Sequence, residues 1–545
     1  MTISEAHRVA EPVRPPAPRA RDARGPWVLG LGAWVLVALL ALLLRLPYLN
    51  VAPGIDEGGV AWIARQWGSG HGWLYGGAWL DRPPLLVAAY RVAVLAGPIG
   101  IRIMGAVAAV GLVASCSLVA HLVAGERGGR VAALLAALLS GSAAISAVYS
   151  PAELLAAVPA TLSVAALVAG HQSGRARAFL AAGALAVVAL LVKQSFLDAG
   201  LAGLAYLATG VVRSRAQTRR AAAAYALGAL VPLAGVGAWL LAAHLRAADL
   251  LDALFGFRLQ ALHTLEGSNI PLLTRLTDLA GPALRSGLVL AVPVAAWGLW
   301  RRPSDRRIAV VLVAWLAGGL AGVLAGGSYW PHYLIQIVPA SAVGVAAVLA
   351  SLPRRLMRVA LLGVVIAAAV TAVAAGVAVT ATPPRRTDVA VARDVRAHAR
   401  PGDTSYVLYA RANLNLAIGL RTPFPYSWSL MMRARPDARG RLLDLLRSSA
   451  RPTWIVRWQP PGRWHLDPTG AVARLLATDY TSVASFDGRR VLLRADRLRP
   501  DPGPTGGVRT SVRSTSSRLR GGTPTTVSAP DAPRGRLPSR RPRRP

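Results

Sequence analysis

The chain has 545 residues, of which 54 % are hydrophobic, and its formal net charge at pH 7 is +36. Its apolar residues form runs of about 18 to 25, the length at which a helix crosses the hydrocarbon core of a bilayer. The arginines lie in the two tails and in short loops between these runs, so the charge favours membrane lipids over nucleic acid as a partner. The single cysteine, Cys116, excludes an intramolecular disulfide.

The two ends of the chain have the composition of disordered tails. Residues 1–26 contain too many prolines and acids for a cleaved signal peptide, and they are followed by too long an apolar run. Residues 499–545 are rich in Arg, Pro, Ser and Thr and cannot bury a core. We expect a cytoplasmic tail at the first end and a basic surface tail at the second.

Apolar runs predict a polytopic α-helical membrane protein with about 11 to 13 transmembrane helices. Alternate connections are short and basic, which places the N-terminus in the cytoplasm, the C-terminus outside and the protein in the plasma membrane. Residues 83–97 would extend only about 22 Å as a helix, so they predict a re-entrant or interfacial segment on the outer side. The candidate crossings are residues 27–46, 102–123, 130–148, 152–170, 177–192, 196–212, 221–245, 283–300, 307–326, 333–350 and 357–380.

These crossings divide the chain into a membrane domain, residues 27–382, and a small outer α/β domain, residues 383–498. The membrane domain carries outer loops at 47–101 and 246–282, the second of which contains an amphipathic helical pattern, "HLRAADLLDALFGFRLQALHTL". In the outer domain, "DTSYVLYA", "PTWIVRW" and "RRVLLRA" predict strands, whereas "DVAVARDVRAHAR" and "ARGRLLDLLRSS" predict helices.

Charged and aromatic residues gather at the outer ends of the predicted crossings. An ionisable group at membrane depth costs several kcal/mol unless it faces a polar cavity or a partner, so a converging set indicates a functional site. The set comprises Asp56, Glu57, Asp81, Arg82, Glu153, Lys193, Arg258, His263, His332 and Tyr333.

Two pairs in the first outer loop are the most informative. Asp56 and Glu57 begin an amphipathic helix, "IDEGGVAWIARQW", whose free N–H groups would keep a carboxylate ionised, as a general base requires. Asp81 and Arg82 precede two prolines that restrict the backbone, and arginine is a natural ligand for phosphate. The alternatives are solvated loop acids for the first pair and an interfacial salt bridge for the second.

The other candidates also have structural alternatives. Glu153 could favour a helix N-terminus, Lys193 could extend to the interface, and "SYWPHYLIQIVP" could be an aromatic belt. His263 and His332 are weak signals alone. The sequence contains no Walker loop, Rossmann glycine pattern or zinc spacing, so we expect no nucleotide cofactor.

Six segments occur in a characteristic order over residues 30–350: "RLPYL", "IDEGGVAWIARQW", "LDRPPLL", "SPAELLAAVPATL", "LLVKQS" and "PHYLIQIVPASA". Together they resemble the lipid-linked-sugar glycosyltransferases of the C-type fold, in the branch of protein O-mannosyltransferases, aminoarabinose transferases and galacturonosyltransferases. The resemblance implies an enzyme that moves a sugar from a polyprenyl-phosphate donor to a hydroxyl of a lipid, glycan or protein acceptor, outside the membrane and with inversion.

The resemblance also implies residue roles. Asp56 matches the catalytic carboxylate, with Glu57 beside it, and Glu153 resembles a second acid. The residues assigned to the donor phosphate are Arg82, Lys193, Arg258, His332 and Tyr333. Asp81 matches a position that in some relatives binds a divalent metal with a histidine, for which His263 is the candidate. An Asp-Arg pair replaces the commoner Glu-Lys, which departs from the family pattern.

The segment "PHYLIQIVP" and the Ala/Arg-rich composition resemble mannosyltransferases of high-GC bacteria, which implies mannose as the sugar. The main alternative function is a multi-pass transporter or lipid flippase. That class predicts internal repeats and sites near the middle of the bilayer. We find no repeat, and the charged residues lie at one surface.

Overall fold

The structure, a computed structural model, describes residues 31–68, 74–211, 215–266, 271–381 and 386–498. All of them belong to one compact unit, Met1–Arg499. The two tails predicted to be disordered, 1–26 and 499–545, lie outside the described residues.

Helices form most of the described membrane part. Each of the eleven predicted crossings contains a helix, so the polytopic helical fold is confirmed. The helices are α1 (Leu31–Leu43), α2 (Ile55–Gln66), α3 (Pro84–Ala93), α4 (Gly97–Ser140), α5 (Ala152–Ser173), α6 (Ala176–Val192), α7 (Asp198–Val211), α8 (Arg215–Ala242), α9 (Ala247–Leu251), α10 (Phe257–Glu266), α11 (Leu272–Arg285), α12 (Leu288–Arg301), α13 (Arg306–Ala325), α14 (Val338–Leu349) and α15 (Arg354–Ala381).

Within the described ranges, five helical stretches are long and apolar enough to cross a membrane. The pair α11 and α12, bent by 78°, adds a sixth if it is one span. Other predicted crossings, such as α6, form shorter apolar helices. The long α4 contains two predicted crossings, and its backbone breaks at Gly125 (φ 73°, ψ −170°), beside the predicted basic loop "ERGGR".

The short apolar run that begins at residue 83 forms α3, which has only ten residues and cannot cross a bilayer alone. Leu86, Val87 and Tyr90 are buried on it. The hydroxyl of Tyr90 donates to the carbonyl oxygen of Ser150 at 2.8 Å, which fixes α3 to the segment before α5. This packing places the end of "LDRPPLL" beside the start of α5.

A four-stranded sheet forms the centre of the C-terminal part, in the order β1-β2-β4-β3. Strands β1 and β2 are parallel, and the other pairs are antiparallel. All three predicted strands and both predicted helices are confirmed, whereas β3, "YTSVASF", was not predicted. The elements are β1 (Ser405–Val407), β2 (Trp454–Arg457), β3 (Tyr480–Phe486), β4 (Arg489–Arg494), α16 (Arg386–His398), α17 (Ala412–Ile418), α18 (Ser429–Ala434), α19 (Ala438–Arg447) and α20 (Ala471–Asp479).

The C-terminal domain packs directly on α2. A Cβ atom at Gly58 would collide with Asn413, and one at Gly59 would collide with Trp428, so two glycines allow α17 and α18 to approach the helix closely. As a result, α2 is buried at every position from Glu57 to Ala64. The predicted helix "IDEGGVAWIARQW" is therefore present, but protein covers both of its faces instead of one.

Candidate active site

Glu57, in the first turn of α2, is buried in a network of hydrogen bonds. Its carboxylate accepts from Arg102 at 2.7 and 3.0 Å, from the backbone N–H of Gly54 at 2.9 Å, and from the backbone N–H of Ser150. Arg102 also donates to the carbonyl oxygen of Val51 at 3.1 Å. Glu57 thus joins α2, α4 and the segment before α5.

Asp56, one residue earlier, has a different environment. Its side chain is exposed, and Oδ1 accepts a hydrogen bond from Nε1 of Trp428 at 3.0 Å. The residue lies in the first turn of α2, where the helix leaves backbone N–H groups free and favours negative charge. Of the two adjacent acids, Asp56 is the one that a bound molecule can reach.

Asp81 and Arg82 form an ion pair that includes a third residue, from the 246–282 segment. The carboxylate of Asp81 lies 2.5 Å from Arg82 and 2.7 Å from Arg258 on α10. Gln194 donates to the carbonyl oxygen of Asp81 at 2.9 Å, and Tyr75 donates to that of Arg82 at 2.8 Å. Side chains distant in sequence therefore hold the Asp81–Arg82 segment in place.

Asp81 and Arg82 keep their charges at neutral pH. Burial alone would raise the pKa of Asp81, but Arg258, Arg82 and Lys193 together lower it below its ordinary value of 3.8. Burial alone would lower the pKa of Arg82, but Asp81 and more distant acids, among them Asp56, together raise it above its ordinary value. Asp81 and Arg82 are consequently both ionised.

A second buried ion pair lies beside the first. The Nζ atom of Lys193, which follows α6, is 2.8 Å from Oε1 of Glu153 in the first turn of α5. His332 Nε2 is 3.9 Å from the same oxygen, and Lys193 lies 5.3 Å from the centre of the Tyr333 ring. Segments from three parts of the chain therefore meet around Lys193.

The two ion pairs together have an excess of positive charge. Within the two ion pairs, the cations Arg82, Lys193 and Arg258 face the carboxylates of Asp81 and Glu153, which leaves one positive charge, not counting His332 or the exposed Asp56 outside the pairs. A buried cation without a counter-ion is costly. An anion is therefore the ligand that best complements this cluster.

A cavity of 270 Å³ extends from this cluster between α7, α10 and α13. Its polar end is formed by Glu153, Lys193, Arg258 and Tyr333. Its walls are apolar, and small residues along α13 leave the space open. These wall residues are Leu197, Leu201, Leu254, Phe255, Leu262 and Leu265, with Gly318, Ala321, Gly322 and Ala325 on α13. The cavity suits a molecule with an anionic head and an apolar chain.

The residues present do not fit the predicted metal. Asp81 already bonds two guanidinium groups, and His263 is exposed on α10, five residues after Arg258 and thus about 140° around the helix. Across the described ranges, no group of three or more His, Cys, Asp or Glu side chains could hold a metal ion. We therefore derive no step through a metal.

A second cavity, of 420 Å³, lies between the start of α2 and the C-terminal domain. We call it the tryptophan cleft. Ser429, at the start of α18, lines this cleft, whereas its neighbour Leu430 lines the first cavity. The start of α18 therefore separates the two cavities, one residue after the tryptophan that binds Asp56. The cleft is lined by Ile55, Ala410, Arg411, Trp428, Ser429, Trp458, Gln459, Trp464 and Arg489.

No family model matches the chain, and no curated protein matches it in sequence. Solved structures do match. ArnT from Cupriavidus metallidurans bound to undecaprenyl phosphate is 18 % identical with a TM-score of 0.60, over 85 % of this chain and 98 % of that chain. The chain has the C-type glycosyltransferase fold.

Two archaeal structures share the C-type fold with it. The Archaeoglobus fulgidus oligosaccharyltransferase in complex with Zn and sulfate is 13 % identical with a TM-score of 0.53, over 83 % of this chain and 71 % of that chain. AglB from the same organism, in complex with an inhibitory peptide and a dolichol-phosphate, is 11 % identical with a TM-score of 0.53. The match covers 86 % of this chain and 74 % of that chain.

In this C-type fold, nine of the ten predicted residues lie in or beside two ion-pair networks or at the start of α2, and His263 lies apart from them. Sequence reasoning missed Arg102 and the three tryptophans of the cleft. Arg102 was hidden at the start of a predicted crossing. The tryptophans had a visible signal, the Trp and Arg content of "PYSWSLMMRARP" and "RWQPPGRWH".

Proposed function

We propose that the protein is a glycosyltransferase that moves a sugar from a polyprenyl-phosphate donor to an acceptor hydroxyl, with inversion. The observation that carries this proposal is an apolar cavity with one cationic end, together with an exposed carboxylate, Asp56, that interacts electrostatically with Arg82 and Tyr333 at that end. ArnT was solved with undecaprenyl phosphate and AglB with dolichol-phosphate, which supports a donor of this class. We place the site at the outer face of the plasma membrane, with the N-terminus in the cytoplasm and the C-terminus outside.

The donor phosphate binds between Lys193 and Arg258. Arg82, which is paired with Asp81, adds a further positive charge near the phosphate. A polyprenyl-phosphate sugar is a phosphodiester with one negative charge, which balances the one excess positive charge of the cluster. Tyr333 lies at the same polar end and His332 lies 3.9 Å from Glu153, and both donate to phosphate oxygens. The prenyl chain follows the apolar walls toward the bilayer.

Asp56 acts as the general base. It accepts the proton of the acceptor hydroxyl while that oxygen attacks the anomeric carbon and the bond from this carbon to the phosphate oxygen breaks. The leaving polyprenyl phosphate gains a second negative charge, which Lys193 and Arg258 stabilise. Attack from the side opposite the phosphate inverts the anomeric centre.

We assign positioning roles to the two other acids. Glu57 bonds Arg102 and fixes the start of α2, and thereby the position of Asp56. Glu153 bonds Lys193 at 2.8 Å and orients its ammonium group. Glu57 is buried in its hydrogen-bond network and Glu153 is buried against Lys193, whereas Asp56 is exposed, so we assign the proton transfer from the acceptor to Asp56.

A donor screen tests this function and identifies the sugar. Membranes that contain the protein are incubated with labelled polyprenyl-phosphate mannose, arabinose or galacturonic acid, and transfer to endogenous acceptors is measured. We expect transfer of mannose and release of polyprenyl phosphate. Turnover of none of the three donors would contradict the proposal and favour a transporter.

Replacing Arg258 by alanine is expected to weaken donor binding. A hydrogen bond to a charged group contributes about 1.5 to 3 kcal/mol, so KM for the donor should rise about 10- to 100-fold. Arg246→Ala is the matched control, because Arg246 is exposed and pairs with Asp249 on the adjacent helix. A KM for Arg258→Ala equal to that of the control would argue against a phosphate contact.

Replacing Ala321 by phenylalanine is expected to fill the apolar part of the cavity. We expect kcat/KM to fall about 10-fold for a long-chain donor and much less for an analogue with a short prenyl chain, because the added ring overlaps the path of the chain. Leu324→Phe, on the same helix but outside the cavity lining, serves as the control. Equal losses with both donors would show that the chain lies elsewhere.

A further inference from the structure

The tryptophan cleft has the features of a carbohydrate site. Trp428, Trp458 and Trp464 line it together, and the flat face of an indole ring is an apolar surface with a partial negative charge. Such a face attracts the partially positive C–H groups of a pyranose ring. Arg411 and Arg489, also in the lining, supply fixed planar donors for hydroxyl or carboxylate oxygens.

The arginines hold the tryptophan rings in place. The guanidinium groups of Arg411 and Arg489 lie 4.8 and 5.2 Å from the centre of the Trp458 ring. Arg489 also donates to the carbonyl oxygen of Trp458 at 2.6 Å. Arg433 and Arg463 lie 5.7 and 5.4 Å from the centre of the Trp464 ring. The cleft is therefore built before any ligand binds.

The backbone around the cleft is strained. Four non-glycine residues adopt the left-handed region: Tyr409 and Arg411 with φ 66°, and Trp464 and His465 with φ 56°. Two of them, Arg411 and Trp464, line the cleft itself. Strain of this kind concentrates at ligand-binding sites, where it positions side chains.

The charge of the cleft selects the ligand. Within the described part of the chain, no carboxylate forms an ion pair with Arg433, Arg463 or Arg489, whereas Arg411 pairs with Asp388 at 3.1 Å. Arg489 lines the cleft, and Arg433 and Arg463 lie beside the Trp464 ring. Cations without an acidic partner favour an anionic ligand. A neutral glycan could stack on the tryptophan rings, but it would leave the positive charges of these arginines without a negative partner.

We propose that the tryptophan cleft binds the acceptor, and that this acceptor is an anionic glycan carrying carboxylate or phosphate groups. The inference rests on the proposed function, because the cleft borders Trp428, whose indole N–H holds Asp56. A sugar ring stacked in the cleft extends its next hydroxyl toward Asp56, and the donor lies in the other cavity beyond α18.

Binding to the purified full-length protein tests this directly, without donor. The probes are a tetrasaccharide of alternating hexuronic acid and hexose, the same tetrasaccharide with its carboxyl groups reduced to alcohols, a phosphorylated hexose tetrasaccharide, and an acidic peptide. Tryptophan fluorescence and calorimetry report binding. We expect at least one of the acidic tetrasaccharides to bind at least 10-fold more tightly than the reduced one, and the peptide not to bind.

The variants make the assignment specific. Arg489→Gln and Trp464→Ala should each weaken binding of the acidic tetrasaccharide at least 10-fold, whereas Arg447→Gln, at an exposed position on α19, should leave it unchanged. Asp56→Asn should keep binding while it loses transfer, so failure of this inference is distinguishable from failure of the proposed function. Equal binding of charged and reduced probes, binding of the peptide instead, or unchanged binding by both cleft variants would overturn the inference.

Discussion

Asp56→Asn is expected to lower kcat about 10³-fold, within the range of about 10²- to 10⁴-fold that general bases contribute. The amide oxygen can still accept the hydrogen bond that Trp428 donates at 3.0 Å, so the local structure should be kept. What the variant loses is the capacity to take the proton of the acceptor. KM for the donor should change little, because Lys193 and Arg258 are untouched. Initial rates at varied donor concentration measure both constants.

The control for this variant is Asp249→Asn. Asp249, like Asp56, lies in the first turn of a helix, and its carboxylate accepts a hydrogen bond from Arg246. Its replacement should leave kcat unchanged. If Asp56→Asn were to keep wild-type kcat in a folded protein, the base would have to be another group, and the division of roles between Asp56 and Glu57 would be wrong.

Glu57→Gln is expected to destabilise the protein by about 3 to 5 kcal/mol, the usual cost of removing one partner from a buried ion pair. Arg102 is only 4 % exposed, so its guanidinium group would remain buried without a countercharge. The loss should separate α2 from α4 and disturb Asp56 as a consequence. Thermal and chemical denaturation of the purified protein measure the change.

Glu126→Gln is the matched control for stability. Glu126 pairs with Arg130, but both side chains are about half exposed, and exposed pairs contribute at most about 1 kcal/mol. A stability loss for Glu57→Gln no larger than that of the control would show that the Arg102 pair does not join the helices. Combined replacement of Glu57 and Arg102 by leucine should recover part of the loss, because no unpaired charge remains.

The sequence was sufficient to predict the helical membrane architecture and the convergence of charged residues. Runs of apolar residues have one stable solution in a bilayer, and charges such as Lys193 and Glu153 at their ends must find partners or water. The three predicted strands were also visible, because they alternate or concentrate β-branched and aromatic residues. Strand β3, "YTSVASF", was not, since its small and polar residues are mostly exposed.

The separate environments of Asp56 and Glu57 could not be predicted, because long-range partners decide them. Arg102 reaches Glu57 from 45 positions away, and Trp428 reaches Asp56 from 372 positions away. Periodicity along α2 likewise gave no sign that a second domain covers its other face. In the sequence the two acids are equivalent neighbours; in the fold one is buried in an ion pair and the other is exposed.

In the proposed mechanism, Asp56 and the cationic end of the apolar cavity act together on a polyprenyl-phosphate sugar. The most direct measurement is release of polyprenyl phosphate by the purified protein in lipid nanodiscs, supplied with the labelled donor and an acidic oligosaccharide acceptor. We predict that wild type releases one polyprenyl phosphate for each glycoside formed, and that Asp56→Asn binds the donor but releases almost none. If wild type bound the donor but formed no glycoside, or if Asp56→Asn released polyprenyl phosphate as fast as wild type, the proposed mechanism would be contradicted.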